Sequence, residues 1–212
     1  MKAFLYTGGR VFPDGICERP APADPVIAAD AGWKTACLMG VTPSLLVGDF
    51  DSLGALPESG GTEILRVPAE KDDTDTQLAV RIALERGATE LCIIGGMSGR
   101  VDHTLSSLAV LEDLNRRGIP AILTDGQNRA RFLRNGSLLL PRAEQFRYLS
   151  LITATEKATG VTLEGCKYPL RNATLTRRNQ YAVSNEIAGS CALISVRHGG
   201  IYIIESSDRT EA

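Results

Sequence analysis

Four short stretches hold the residues whose types and spacing could do chemistry. They are Asp30 in Ala-Ala-Asp-Ala-Gly, Asp49 and Asp51 in Gly-Asp-Phe-Asp-Ser, the run Glu-Lys-Asp-Asp-Thr-Asp (70–75), and Gly-Gly-Met-Ser-Gly-Arg-Val-Asp-His (95–103). Three of the four are rich in aspartate. Taken singly, each has an ordinary explanation. Thr74 and Gln77 fit a helix capping box, Asp and Ser after a strand make turns, and a glycine run makes a flexible turn. Taken together they require more, because carboxylates gathered without a cation repel and raise one another's pKa. Mg²⁺, a hard cation held by one or two carboxylates, waters and phosphate oxygens, removes that conflict. The glycines at 95, 96 and 99 let backbone amides form an anion-binding nest, and Arg100 adds a guanidinium fork suited to phosphate. The spacing is not that of a Walker loop. Carboxylates and a phosphate nest in one pocket point to Mg²⁺-dependent phosphoryl transfer from a nucleotide.

These stretches converge only if the elements before them share one sheet. Apolar runs at 2–7, 25–29, 44–47, 63–67, 90–94 and 120–124 read as strands. Helical periodicity runs from about 73 to 86, with Leu78, Ala79, Ile82 and Ala83 on one face. A second helix runs from about 103 to 117, with Leu105, Leu108, Leu111 and Leu114 at helical spacing. Each closes in basic residues and a glycine, Gly87 or Gly118. The alternation predicts an α/β domain over 1–125: a mostly parallel, Rossmann-like, three-layer sheet with ligands at its carboxyl rim. Residues 126–212 read differently, as short strands without a helix. Asn135-Gly136 and Gly199-Gly200 suggest hairpins, further strand-like runs lie at 147–153, 160–163 and 181–183, and the whole predicts a small all-β sandwich.

Composition narrows the classes. Of 212 residues, 43% are hydrophobic and 23% charged, with a net charge of −2, so no basic surface recommends nucleic acid. No apolar run approaches the ~20 residues of a membrane span. The five cysteines are odd in number, scattered, and form no Cys-x-x-Cys. That argues against a disulfide framework or zinc cluster and for a reducing, cytoplasmic setting.

The motifs, in order, resemble those of the thiamine pyrophosphokinases, bacterial branch. The likeness rests on "AADAG", "PSLLVGDFDS", "EKDDTD", "IIGGMSGRVDH", "GCKYPL" and "YAVSNE" and spans nearly the whole chain. It implies a catalytic α/β domain, a thiamine-binding and dimerising β-sandwich, and a homodimer. The implied reaction moves the diphosphate of ATP to the thiamine hydroxyl, yielding thiamine diphosphate and AMP. By the same resemblance Asp49, Asp51 and Asp75 hold Mg²⁺. Asp30, Asp72, Thr74, Gly95, Gly96, Gly99 and Arg100 receive ATP. Asp75, Arg100 and Asp102 are catalytic, with either Asp75 or Asp102 handling the thiamine hydroxyl proton. Ser184 and Asn185 meet thiamine in a site shared between subunits. The chain departs from the family pattern at Ala31, where a second glycine is usual.

Two other functions fit parts of the sequence. "LLVGDFDSL" also resembles the first motif of haloacid-dehalogenase-like Mg²⁺-dependent phosphatases, with Asp49 as nucleophile. A non-catalytic nucleotide or thiamine sensor would keep the carboxylates for binding alone. His103 and His198, Trp33 and Tyr168 read as capping, solvated or core residues, and Lys71 as a partner of Asp72 and Asp73 or of a phosphate.

Overall fold

The computed structural model describes residues 1–50, 61–68 and 73–208. The chain divides into two compact units, Met1–Gly126 and Gln127–Ala212.

The first unit is built on six parallel strands: β1 (Lys2–Tyr6), β2 (Val26–Ala29), β3 (Leu45–Gly48), β4 (Glu63–Arg66), β5 (Glu90–Ile94) and β6 (Ala121–Thr124). Their spatial order is β6-β5-β1-β2-β3-β4. Burial follows position. The inner strands β1, β2, β3 and β5 are apolar on both faces, and the edge strand β4 is exposed along its length. Three helices connect them: α1 (Gly32–Leu38), α2 (Asp75–Glu85) and α3 (Val101–Arg116). Right-handed crossovers put α1 on one face and α2 and α3 on the other, because the first connection moves rightward across the sheet and the later two move leftward. The packing agrees. Ala36 of α1 lies in one cluster with Phe4, Tyr6, Val26, Cys92 and Ile94, while α2 buries Leu78, Ala79, Val80, Ile82 and Ala83.

Two local expectations need correction. The helix α1 is absent from the sequence reading, since seven residues are too few to establish a 3.6-residue period. In α3 the buried face is Ser107, Val110, Leu111 and Leu114, whereas Leu105 is 62% exposed. The leucine spacing therefore misplaces the start of the buried stripe by part of a turn, and a buried serine takes the position nearest the carboxyl rim.

The second unit is antiparallel: β7 (Asn128–Pro141), β8 (Tyr148–Thr153), β9 (Lys157–Glu164), β10 (Leu170–Thr176) and β11 (Cys191–Ser206). Neither expected hairpin forms. Asn135-Gly136 lies inside the 14-residue β7 and Gly199-Gly200 inside the 16-residue β11, and these two strands pair with each other. The turn-forming residues face one another at a register shift between Val196 and Gly200, where the Gly199 amide donates to Asn135 Oδ1 at 3.0 Å. Their left-handed backbones (Asn135 φ 49, Gly199 φ 104) produce a bulge rather than a reversal. On one side of the bulge β11 pairs with β9, and on the other with β8. The bent strands thereby close over one core that includes Leu149, Leu151, Val161, Leu163, Ile194 and Ile203. The strand β10 was not expected. Residues 181–183 form no strand; Ala182 and Asn185 instead hydrogen-bond to the edge of β8.

Candidate active site

The chain leaves β1 toward β2 and later returns to β1's other side as β5. The carboxyl ends of β1 and β5 are thus the point where connections diverge to opposite faces, which is where open α/β sheets hold ligands. A cleft of about 440 Å³ opens there.

Two loops form its floor. After β1 come Thr7, Gly8 and Gly9; after β5 come Gly95 through Arg100. The Thr7 amide donates to the Ile94 carbonyl at 2.9 Å and the Gly96 amide to the Gly8 carbonyl at 3.0 Å. Side chains are excluded here for a steric reason. A Cβ at Gly95 would stand 2.5 Å from the Thr7 carbonyl oxygen, and one at Gly96 would stand 3.0 Å from Ser107 Oγ. Both glycines also have positive φ, 99° and 70°.

The acidic wall is assembled from the ends of β2 and β3 and from the start of α2. Asp30 follows β2 with φ 45°, its amide bonded to the Val47 carbonyl at 2.8 Å. Gly48 is small enough for Asp30 to lie against it, since a Cβ there would meet Asp30 Cβ at 3.1 Å. Asp49 follows β3 and lines the cleft. Its neighbour Phe50 takes φ 67° and is buried with Ala28, Leu46 and Trp33, and the Arg66 guanidinium lies 5.9 Å from its ring centre. The aromatic ring is an anchor into the sheet's face that fixes the strand end carrying Asp49. Asp73 and Asp75 also line the cleft, at the start of α2. There Thr74 caps the helix reciprocally with Gln77: Thr74 Oγ1 accepts from the Gln77 amide at 3.2 Å, and Gln77 Oε1 accepts from the Thr74 amide at 2.9 Å. Asp73 is tied to Arg81 at 3.2 Å. Capping and site-building thus coexist in one segment.

The cationic side is sparse. Among the described lining residues Arg100 is the one with a fixed positive charge. It stands at the N-cap of α3 and makes a two-point ion pair with Asp102, at 3.2 and 2.5 Å. That guanidinium hydrogen bond holds the Asp102 carboxyl below the usual carboxylate range, and the pairing raises Arg100. The pair is exposed, and Asp102 does not line the cleft. The N-termini of α2 and α3 both open on the cleft and add partial positive charge without side chains.

Of the site residues expected from sequence in this unit, the cleft unites Asp30, Asp49, Thr74, Asp75, Gly96 and Arg100. Gly95 and Gly99 belong to the same glycine turn without lining it. Asp51 and Asp72 lie outside the described residues. The sequence reading missed Thr7-Gly8-Gly9, Ser98, Ser106 and Ser107, and it set His103 aside although His103 lines the cleft. A Gly-Gly pair directly after the first strand was the available signal for the first of these. Among the described residues no three His, Cys, Asp or Glu side chains cluster closely enough to hold a metal alone.

In the second unit, Asn185 is 5% exposed and its side-chain amide bonds backbone through both its oxygen and its nitrogen. Oδ1 accepts from the Tyr168 and Glu186 amides at 3.0 and 2.9 Å, and Nδ2 donates to the Tyr168 carbonyl at 2.6 Å. Ser184 beside it has φ 56° and is exposed. Tyr168 is not a core residue: it is 60% exposed, with the Lys167 ammonium 5.6 Å from its ring centre.

A doubly wound parallel sheet with carboxylates, a glycine turn and two helix N-termini around its switch point defines a nucleotide- or phosphate-handling α/β enzyme. The match to known proteins is more specific. The thiamin pyrophosphokinase catalytic domain matches residues 21–123 and the thiamin pyrophosphokinase vitamin B1 binding domain matches residues 137–201. The thiamine pyrophosphokinase of Bacillus subtilis is 33% identical over 186 residues, 86% of this chain and 87% of that protein. The crystal structure of thiamine pyrophosphokinase from Bacillus subtilis superposes with a TM-score of 0.87 at 28% identity, covering 99% of this chain and all of the other. That of a thiamin pyrophosphokinase family protein from Enterococcus faecalis gives 0.83 at 32%, with 99% and 100% covered. The chain belongs to the thiamin pyrophosphokinase family.

Proposed function

We propose that the cleft binds the polyphosphate of ATP together with Mg²⁺ and that the protein passes the β,γ-diphosphate to the hydroxyl of thiamine, releasing AMP. One observation carries the metal part of this reading. Among the described residues the carboxylates of Asp30, Asp49, Asp73 and Asp75 line the cleft, and the one guanidinium on its lining, that of Arg100, is already paired with Asp102. A polyphosphate would enter against net negative charge without an added cation. The donors are hard oxygens, and one or two carboxylates completed by phosphate and water are what Mg²⁺ takes. Asp49 and Asp75 would hold it, with Asp51 beside Asp49 in sequence. When bound, the ion neutralises phosphate charge and polarises the phosphorus under attack.

The chain's own groups then have distinct tasks. The amides of the glycine turn and the open start of α3 receive phosphate oxygens, Asp30 and Thr74 bound the nucleotide, and Arg100 meets the charge that grows on the transferred group. Asp75, on the cleft wall, orients the thiamine hydroxyl and takes its proton. Asp102, held as a carboxylate by its hydrogen bonds with Arg100, serves to aim Arg100. In the second unit Ser184 meets thiamine, while Asn185 holds the loops carrying Ser184 and Tyr168 in place. The active form is a homodimer. The five cysteines, none of them in a disulfide, support a reducing, cytoplasmic setting.

The test is incubation with ATP, Mg²⁺ and thiamine, reading AMP and thiamine diphosphate. Asp49→Asn is expected to lose at least a hundredfold in kcat/KM while keeping its circular dichroism and melting temperature. Near-normal turnover in that variant would remove Asp49 from the site. Binding of both substrates by the wild type without AMP would mean a sensor instead.

A further inference from the structure

We infer that Ser98 is a positioning residue that locks the two loops of the cleft floor into one anion-binding frame. This rests on the proposed polyphosphate site. Ser98 Oγ accepts a hydrogen bond from the Arg10 amide at 2.6 Å and donates to the Arg10 carbonyl at 3.3 Å. Both bonds span 88 residues of sequence, from the glycine turn after β5 to the loop after β1. With its proton and an acceptor site so engaged, the hydroxyl acts on the other loop's backbone rather than on a substrate, although Ser98 borders the cleft.

The fit is close on both sides. Gly9 has φ 112°, and a Cβ there would stand 2.8 Å from Ser98 Oγ. Deeper in the cleft the same two loops meet again through the Gly96 amide and the Gly8 carbonyl. The hydroxyl and that amide are therefore two rungs holding one ladder, and Ser98 is its outer rung. Both flanking turns are rich in glycine, which costs the most entropy to order. A side chain that bonds both polar groups of one facing residue limits that freedom before substrate arrives, so less is lost on binding.

The experiment compares Ser98→Ala, Ser98→Cys and Ser98→Thr with the wild type. Removing the hydroxyl is expected to raise KM for ATP about threefold to tenfold, the effect of one or two modest hydrogen bonds. The value of kcat and the KM for thiamine are expected to stay within twofold, and the melting temperature within a few degrees. Ser98→Cys follows Ser98→Ala, and Ser98→Thr restores the wild-type KM. Amide exchange at residues 8–10 is expected to quicken in Ser98→Ala. An unchanged KM and unchanged exchange, or an equal change in all kinetic parameters, would overturn the inference. Should the wild type form no AMP, the kinase reading fails by itself, and the clasp is judged on exchange and on titration with inorganic tripolyphosphate. A wild-type affinity for tripolyphosphate in Ser98→Ala would then overturn it.

Discussion

At the scale of single residues, the aspartates of this chain depend on small and apolar neighbours that hold them. Asp49 is presented because Phe50, at a left-handed φ, turns its ring into the pocket of Ala28, Leu46 and Trp33. Asp30 is presented because Gly32 lets the start of α1 press against the end of β1. A Cβ at Gly32 would stand 1.9 Å from the Tyr6 carbonyl oxygen, which no side-chain adjustment relieves. Gly32→Ala is therefore expected to destabilise the protein by about 3 kcal/mol or more, at the upper end of overpacking costs. Gly189→Ala is the control, since nothing lies within 4 Å of its added Cβ, and it is expected to stay within about 0.5 kcal/mol. Urea unfolding of the two variants checks this, and comparable stability for both would refute the steric account.

At the scale of elements, two devices connect stability to the site. The reciprocal cap of Thr74 and Gln77 fixes where α2 begins, and Asp75 is its first residue. Thr74→Ala is expected to cost about 1 kcal/mol and to lower turnover as well, because Asp75 rides on the loosened first turn. A loss of stability with kinetics unchanged would separate the cap from the chemistry. In the second unit β7 and β11 share a buried ion cluster. Glu205, 2% exposed, accepts from Arg129 at 2.7 and 2.8 Å and from Arg131 at 2.6 Å, and the Arg129 guanidinium lies 4.8 Å from the centre of the Phe146 ring. Glu205→Ala removes the carboxylate shared by the buried Arg129 and the half-buried Arg131 and is expected to destabilise by about 3 kcal/mol. Thermal melts of this variant, with Glu205→Gln as the milder comparison, measure it.

At the scale of the whole molecule, each unit buries an acid that resists ionisation. Burial pushes the Tyr6 phenol in β1 up to about 12 and the Cys166 thiol in the second unit up to about 11. Folding favours the protonated form of both. Their contribution is fully present below the ordinary values of 10 and 9, and it is lost as pH rises through the folded values. Stability is therefore expected to decline from about pH 9 upward. Tyr6→Phe is expected to flatten the slope between pH 10 and 12 and Cys166→Ala the slope between pH 9 and 11, read by denaturant titrations at fixed pH. An unaltered slope in both variants would assign the alkaline loss to other groups.

Much of the candidate site was legible in sequence because its residues sit where local patterns end: Asp30 and Asp49 just past apolar strands, Thr74 and Asp75 at a cap, Gly95 to Arg100 before a helix. Those patterns depend on backbone conformation and burial within a few residues, so strand alternation, capping and glycine turns could be read from the chain itself. What required tertiary structure was everything set by partners far along the chain. Asn135-Gly136 and Gly199-Gly200 are turn-forming by themselves, yet each is held in a long strand because the other lies opposite and the ladder continues on both sides. Thr7-Gly8-Gly9 and Ser98 acquire a role only where β1 and β5 become neighbours, a pairing of segments almost ninety residues apart. Local sequence determines which conformations a segment can take, and the burial and hydrogen bonds supplied by distant strands decide which one it keeps.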